Sequence, residues 1–201
     1  MPALRDERPV SVRSLSMTVT NNAVISVALG YIEANPDEVD LLRSLVVLAL
    51  HGPAITARST TPAHVTARAA IMSSDWRVLE VMDAQSSTWH LPGGHLDVAD
   101  ASLLGAALGL AGRRAGVDPN LVIPDGIVPV DVDAVIEPAA PTLGEPEHVH
   151  YAVTYLFHVE DRELAVADIG APAVRWTDPR HLPGRLGAKL TRSSHLSRLV
   201  R

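Results

Sequence analysis

Residues 91–117, LPGGHLDVADASLLGAALGLAGRRAGV, constrain this chain more than any other stretch. Two adjacent glycines let a backbone lie close to a neighbour or ligand, in dihedrals that side chains forbid. Asp97 and Asp100 follow at once, and apolar residues then recur at helical spacing from about Ala101 to Ala115. A carboxylate-lined loop entering a helix suits a hard cation held through oxygen, with Mg²⁺ bridging to substrate phosphates. Gly93 and Gly94 are therefore candidate substrate-binding residues, and Asp97 and Asp100 candidate metal ligands. The plainer alternative is a turn with one aspartate capping the helix. The last turn of that helix carries Arg113 and Arg114, which coordinate no metal and stay protonated.

Around this segment the periodicities predict a mixed α/β chain. Residues 1–19 lack apolar period and read as a flexible arm; 20–62 hold two amphipathic helices, near 21–34 and 37–50, as an N-terminal extension. Asn35-Pro36 stops the first helix and Asp37 is placed to cap the second. Residues 63–201 form the main domain, with strands near 64–72, 76–84, 127–136, 150–159 and 172–176 and a closing helix near 185–199. On the first strand, alternation sets His64, Thr66 and Arg68 on one face.

A second constellation joins VDVD (130–133) to HVH (148–150). Strand alternation puts Asp131 and Asp133 on one face, and His148 and His150 on one face of the next strand. The Pro- and Gly-rich connection between them allows a hairpin that brings two carboxylates near two imidazoles. Such a set can hold one divalent transition metal or move protons, and these four are the candidate catalytic residues. The alternative is a hydrogen-bonded polar cluster that supports the long loop. His95 and His64 are candidates to line the same cleft; Trp89 and Trp176 are placed to wall the cleft or the core, and Glu80 stands as an isolated acid.

The stretch 89–117 resembles the signature of the Nudix hydrolases, in particular a branch common in actinobacteria. HVTARAAIM (64–72), PVDVD (129–133), GEPEHVHYAVTYLF (144–157) and VRW (174–176) extend the likeness. The resemblance implies an α/β/α sandwich around a central mixed sheet. It also implies an arginine and three glutamates on the helix, the glutamates binding catalytic Mg²⁺ or Mn²⁺. Here Gly109 replaces the arginine, and Leu110, Arg113 and Arg114 replace the glutamates, so the standard Mg²⁺ site is expected to be absent. Arg113 and Arg114 either bind an anionic substrate where the metal stood or face solvent at the helix C-terminus. Gly105, Gly109 and Gly112 on that helix suggest close packing or an enlarged cleft, and simple decay of the helix explains them too. In the second constellation Val135, Ala152 and Thr154 stand for the branch's His, Asp and Arg, while both Asp/His pairs persist.

Three functions follow from these features. The first is a diverged enzyme on this scaffold, acting on a small anionic or phosphorylated metabolite by isomerisation, cyclisation or an unusual hydrolysis, plausibly in specialised metabolism. The second is a catalytically inactive ligand-binding or regulatory module. Conventional Mg²⁺-dependent diphosphate hydrolysis ranks behind both. A formal net charge of −6 argues against a nucleic-acid partner, and the absence of cysteine removes disulfides and thiolate chemistry. The most apolar run, 41–50, is interrupted by Arg43 and too short for a bilayer, and no targeting segment is visible, so a cytoplasmic protein is expected.

Overall fold

The computed structural model describes residues 18–83, 86–160 and 173–199. Most of the expected N-terminal arm lies outside them, and so does the connection at 161–172. Helix α1 (Asn21–Ala34) is capped by the Thr20 side chain, and Pro36–Glu38 forms a short 3₁₀ turn. Helix α2 (Val39–His51) follows that turn directly, so Asp37 lies within the turn instead of capping α2.

The sheet is built on β1 (Ala63–Ser73) and β7 (His148–Val159), which run parallel in register from Ala63 opposite Val149 to Ser73 opposite Val159. On the far side of β1 lie β2 (Val78–Asp83) and β4 (Gly93–His95); β3 (Thr88–His90) and β8 (Val174–Thr177) both pair with β2. On the far side of β7, β6 (Asp131–Glu137) covers its first half and β5 (Val122–Pro124) its end. The Gly-Gly segment, expected as a turn, is strand β4. A Cβ at Gly93 would sit 2.7 Å from Arg68 Cγ and 2.8 Å from the Ala67 carbonyl, so only glycine lets β4 approach β1 this closely.

Alternation along β1 divides the core. Val65, Ala67, Ala69 and Ile71 belong to one buried cluster, with Ala106, Ala107 and Leu110 of helix α3 (Leu103–Ala115) and with Val24, Tyr31, Leu42 and Leu45 of α1 and α2. Ala70 and Met72 belong to the other, with Leu156, Leu182 and Leu190, the last on helix α4 (Gly184–Leu199). Helix α3 starts at Ser102, whose hydroxyl accepts from the Gly105 amide, and ends at Gly116 in the left-handed conformation with φ 68°. Asp100 therefore is not its cap. On the second face of the sheet, His64, Thr66 and Arg68 precede Ala70, and it is over this polar end that the candidate site opens.

Candidate functional site

A cleft of about 490 Å³ lies over the polar ends of β1, β4 and β6, lined by Thr66, Arg68, Gly93, His95, Glu137 and His150 among others. Pairing explains the convergence. His64 sits opposite His150 in the parallel ladder, His148 is two residues back on the same face, and His95 lies opposite Thr66. Four imidazoles thus meet: ring centroids are 4.5 Å apart for His64 and His150, 4.9 Å for His64 and His148, and 5.0 Å from His95 to each of His64 and His150. His148 also borders a second cavity, of about 610 Å³, together with Arg58, Asp97 and Glu145.

Hydrogen-bond partners assign the tautomers. His64 Nδ1 lies 3.0 Å from the Thr60 carbonyl and His148 Nδ1 lies 2.7 Å from the Pro146 carbonyl. A carbonyl only accepts, so both Nδ1 atoms carry a hydrogen, and in the neutral rings both Nε2 atoms present lone pairs. His64 is 1% exposed and its Nε2 has no hydrogen-bond partner. His148 Nε2 is 3.0 Å from His150 Nε2, and His150 Nδ1 is 3.4 Å from a Glu137 carboxylate oxygen. Burial, followed by the neighbouring imidazoles, pushes His95 down to about 4 and His150 down to about 3. Burial likewise lowers His64. These rings are neutral at pH 7.

The carboxylates are arranged differently from the expected Asp/His pairs. Strands β6 and β7 do form an antiparallel pair, but its register sets Val135 opposite His150 and Glu137 opposite His148. Asp133 lies opposite Ala152, with its side chain about half exposed, 3.8 Å from Arg185. Asp131 is buried in an ionic knot: its carboxylate meets Arg185 Nε at 2.9 Å and Lys189 Nζ at 3.0 Å, while Glu38 meets the same two cations at 3.1 and 2.7 Å. Tyr31 donates to Glu38 and receives from Lys189. Asp131 therefore ties α1, β6 and α4 together, and the acid beside the imidazoles is Glu137. Sequence reasoning passed over Glu137, although its spacing of four from Asp133 places it on the same strand face.

The remaining candidates separate. Asp97 accepts from the Ala99 amide, and Asp100 accepts from the Asp97 amide at 2.7 Å, so both fasten the loop entering α3. Arg113 and Arg114 are exposed and line neither cavity. Arg113 folds back over Gly109, where a Cβ would come within 3.0 Å of its guanidinium; Arg114 reaches over Gly94. The α3 face beside Gly94 presents buried Leu110, and no oxygen donor stands at any of the three positions. A Mg²⁺ site of the Nudix type does not fit these residues. Glu80, 4% exposed, pairs with Arg175 at 2.7 Å, and Arg175 lies 4.4 Å above the Trp89 ring at the cleft wall. Trp176 packs against the first core cluster. Among the described residues Arg68 makes no ion pair within 4.0 Å, and the charges of Asp133, Glu137 and Asp131 act on it across the cleft.

No protein-family model matches the sequence, and none of the curated proteins does. Solved structures do. A C. elegans Ap4A hydrolase in a binary complex superimposes with a TM-score of 0.50 at 13% identity, covering 66% of this chain and 96% of that one. A hydrolase of the NUDIX family from Clostridium perfringens gives 0.47 at 16% identity over 66% of this chain and 97% of its own. A UDP-X diphosphatase gives 0.46 at 14% identity, over 87% and 93%. The fold is the Nudix fold, a mixed sheet between helices, with an additional N-terminal helical pair. Among the described residues no helix is long and apolar enough to cross a membrane.

Proposed function

We propose that this chain is a Nudix-fold enzyme that acts on a small anionic metabolite at the histidine-floored cleft, by a route independent of Nudix-box Mg²⁺. The observation that carries this reading is the set of neutral imidazoles gathered at the cleft floor beside Arg68. A guanidinium without an ion pair suits a carboxylate or phosphate of the ligand. His95, on the cleft side of β4, is unprotonated at neutral pH and stands where a bound molecule would meet it. Its position rests on Gly93, whose missing side chain lets β4 hold the ring over the floor.

Thermal-shift screening of phosphorylated and carboxylated metabolites, followed by mass-resolved turnover of those that bind, tests the proposal. Wild type is expected to bind and convert at least one compound. Arg68→Ala should lose the thermal shift, and His95→Ala should keep binding while losing turnover. Binding without conversion of any ligand would favour the ligand-sensing module instead. Robust Mg²⁺-dependent hydrolysis of a diphosphate panel would overturn the reading.

A further inference from the structure

The donor and acceptor pattern at the cleft floor is unsatisfied in a specific way. His64 and His148 each spend their Nδ1 hydrogen on a backbone carbonyl, so in the neutral ring each Nε2 is a bare lone pair. While His148 and His150 are both neutral, His150 cannot satisfy both of its neighbours. With its hydrogen on Nε2 it can donate to His148 at 3.0 Å, but its Nδ1 lone pair then faces the Glu137 carboxylate at 3.4 Å. With its hydrogen on Nδ1 the carboxylate contact is favourable, but two Nε2 lone pairs then face each other at 3.0 Å. An extra proton on His150 or on His148 would relieve both contacts, but it would leave His64 Nε2 without a partner. His64 Nε2, meanwhile, is buried without any partner. One Lewis acid between the rings removes every conflict at once.

We propose that His64, His148 and His150 form a three-histidine site for a divalent transition metal, binding it through their Nε2 atoms. One ring nitrogen from each of the three lies within 4.8 Å of those of the other two, and the Nε2 atoms of His148 and His150 are 3.0 Å apart. Tetrahedral zinc with bonds of about 2.0–2.1 Å sets its nitrogen donors roughly 3.3 Å apart, so small side-chain adjustments close the site. The supporting contacts are of the kind that fix a metal-binding imidazole: each Nδ1 faces a backbone carbonyl or a carboxylate, which sets the tautomer and the ring plane. An all-imidazole donor set suits zinc among the common biological divalent ions, ahead of Mg²⁺ or Ca²⁺. Three protein ligands leave a fourth position for water or ligand, the arrangement of catalytic zinc sites. His95, its ring centroid 5.0 Å from those of His64 and His150, does not belong to the donor set. Sequence reasoning grouped His148 and His150 with Asp131 and Asp133; the parallel pairing of β1 with β7 supplies His64 in place of the aspartates.

This inference deepens the proposed reading of the cleft, yet its test reads metal alone. A metal-bound protein without turnover and a converting protein without metal are therefore distinguishable. Full-length protein is stripped with chelator, dialysed against Zn²⁺, and assayed by elemental analysis, with circular dichroism as a folding control. Wild type should retain about one zinc per chain. His64→Gln, His148→Gln and His150→Gln should each retain less than about a tenth of that, and Glu137→Gln should bind roughly 10- to 100-fold more weakly. His158→Ala, which removes a surface histidine paired with Asp125, should retain the full equivalent. Substoichiometric binding by wild type, or retention in folded His64→Gln and His150→Gln, would overturn the site. If the His64 variant does not fold, the Co²⁺-loaded wild type decides. Intense visible bands of four-coordinate cobalt support the site, and the weak spectrum of six-coordinate cobalt sinks it.

Discussion

Leu110 stands against Gly94: its Cδ2 lies 3.4 Å from where a Cβ on Gly94 would be. The contact is apolar, and it contributes to the core because Leu110 is 4% exposed. Leu110→Ala should cost roughly 2–5 kcal/mol in urea denaturation, the range for a truncated buried leucine. Arg113→Ala and Arg114→Ala, both exposed, should stay within about 0.5 kcal/mol of wild type. Millimolar Mg²⁺ should leave the melting temperature unchanged. A Mg²⁺-induced rise would mean that other oxygen ligands rebuild the site.

Much of the scaffold is legible in the sequence because it is locally patterned. The β1 alternation, the α3 period and the two N-terminal helices are set by residues a few positions apart. β4 is not legible, since Gly93 and Gly94 carry no side chains to pattern; its strand character comes from pairing with β1. The site is half legible. His148 and His150 share a face by alternation alone, but which acid meets them depends on hairpin register across the 137–147 connection. That connection includes a 3₁₀ turn at Pro141–Leu143 and a bridge from Ala140 to Glu145, neither visible as a period. His64 joins the cluster through a parallel ladder between strands more than eighty residues apart, a pairing no local signal encodes.

Gly93→Ala tests the close approach of β4. The new methyl meets the Ala67 carbonyl at 2.8 Å, and backbone cannot give way as a flexible side chain can. A destabilisation of about 1–3 kcal/mol is expected from this overpacking. Displacement of β4 also moves His95 off the cleft floor, so the shift of its ring resonances, followed by NMR, should exceed that in Gly126→Ala. Gly126 has open space around its Cβ position and serves as the control.

Arg175 joins two neighbours, and its removal should affect both. It neutralises buried Glu80 at 2.7 Å and covers the Trp89 ring at 4.4 Å. Arg175→Ala leaves a buried carboxylate without its cation, which should cost about 3 kcal/mol in chemical denaturation. Loss of the guanidinium also changes the field over the indole. The emission difference between Arg175→Ala and wild type should vanish in a Trp89→Phe background. Persistence of that difference would assign it to another tryptophan.

The ionic knot of Glu38, Asp131, Arg185, Lys189 and Tyr31 predicts how stability depends on pH. Burial alone would raise the Glu38 carboxyl. The Lys189 and Tyr31 hydrogen bonds and the charges of Lys189 and Arg185 outweigh it, so its folded pKa lies below the ordinary glutamate value. A depressed folded pKa means the unfolded chain binds the proton more readily. Its contribution is thus complete above the unfolded value, about 4.3, and is lost as pH falls through the folded value. Urea midpoints for wild type and Glu38→Gln should differ at pH 7 and converge as pH falls through the depressed folded value. Lys189→Met should be the more damaging change. It removes a cation 3.0 Å from buried Asp131 as well as 2.7 Å from Glu38, and a loss of about 3 kcal/mol at neutral pH is expected. Equal pH profiles for wild type and Glu38→Gln would show that the knot holds α1 to α4 by packing and not by charge.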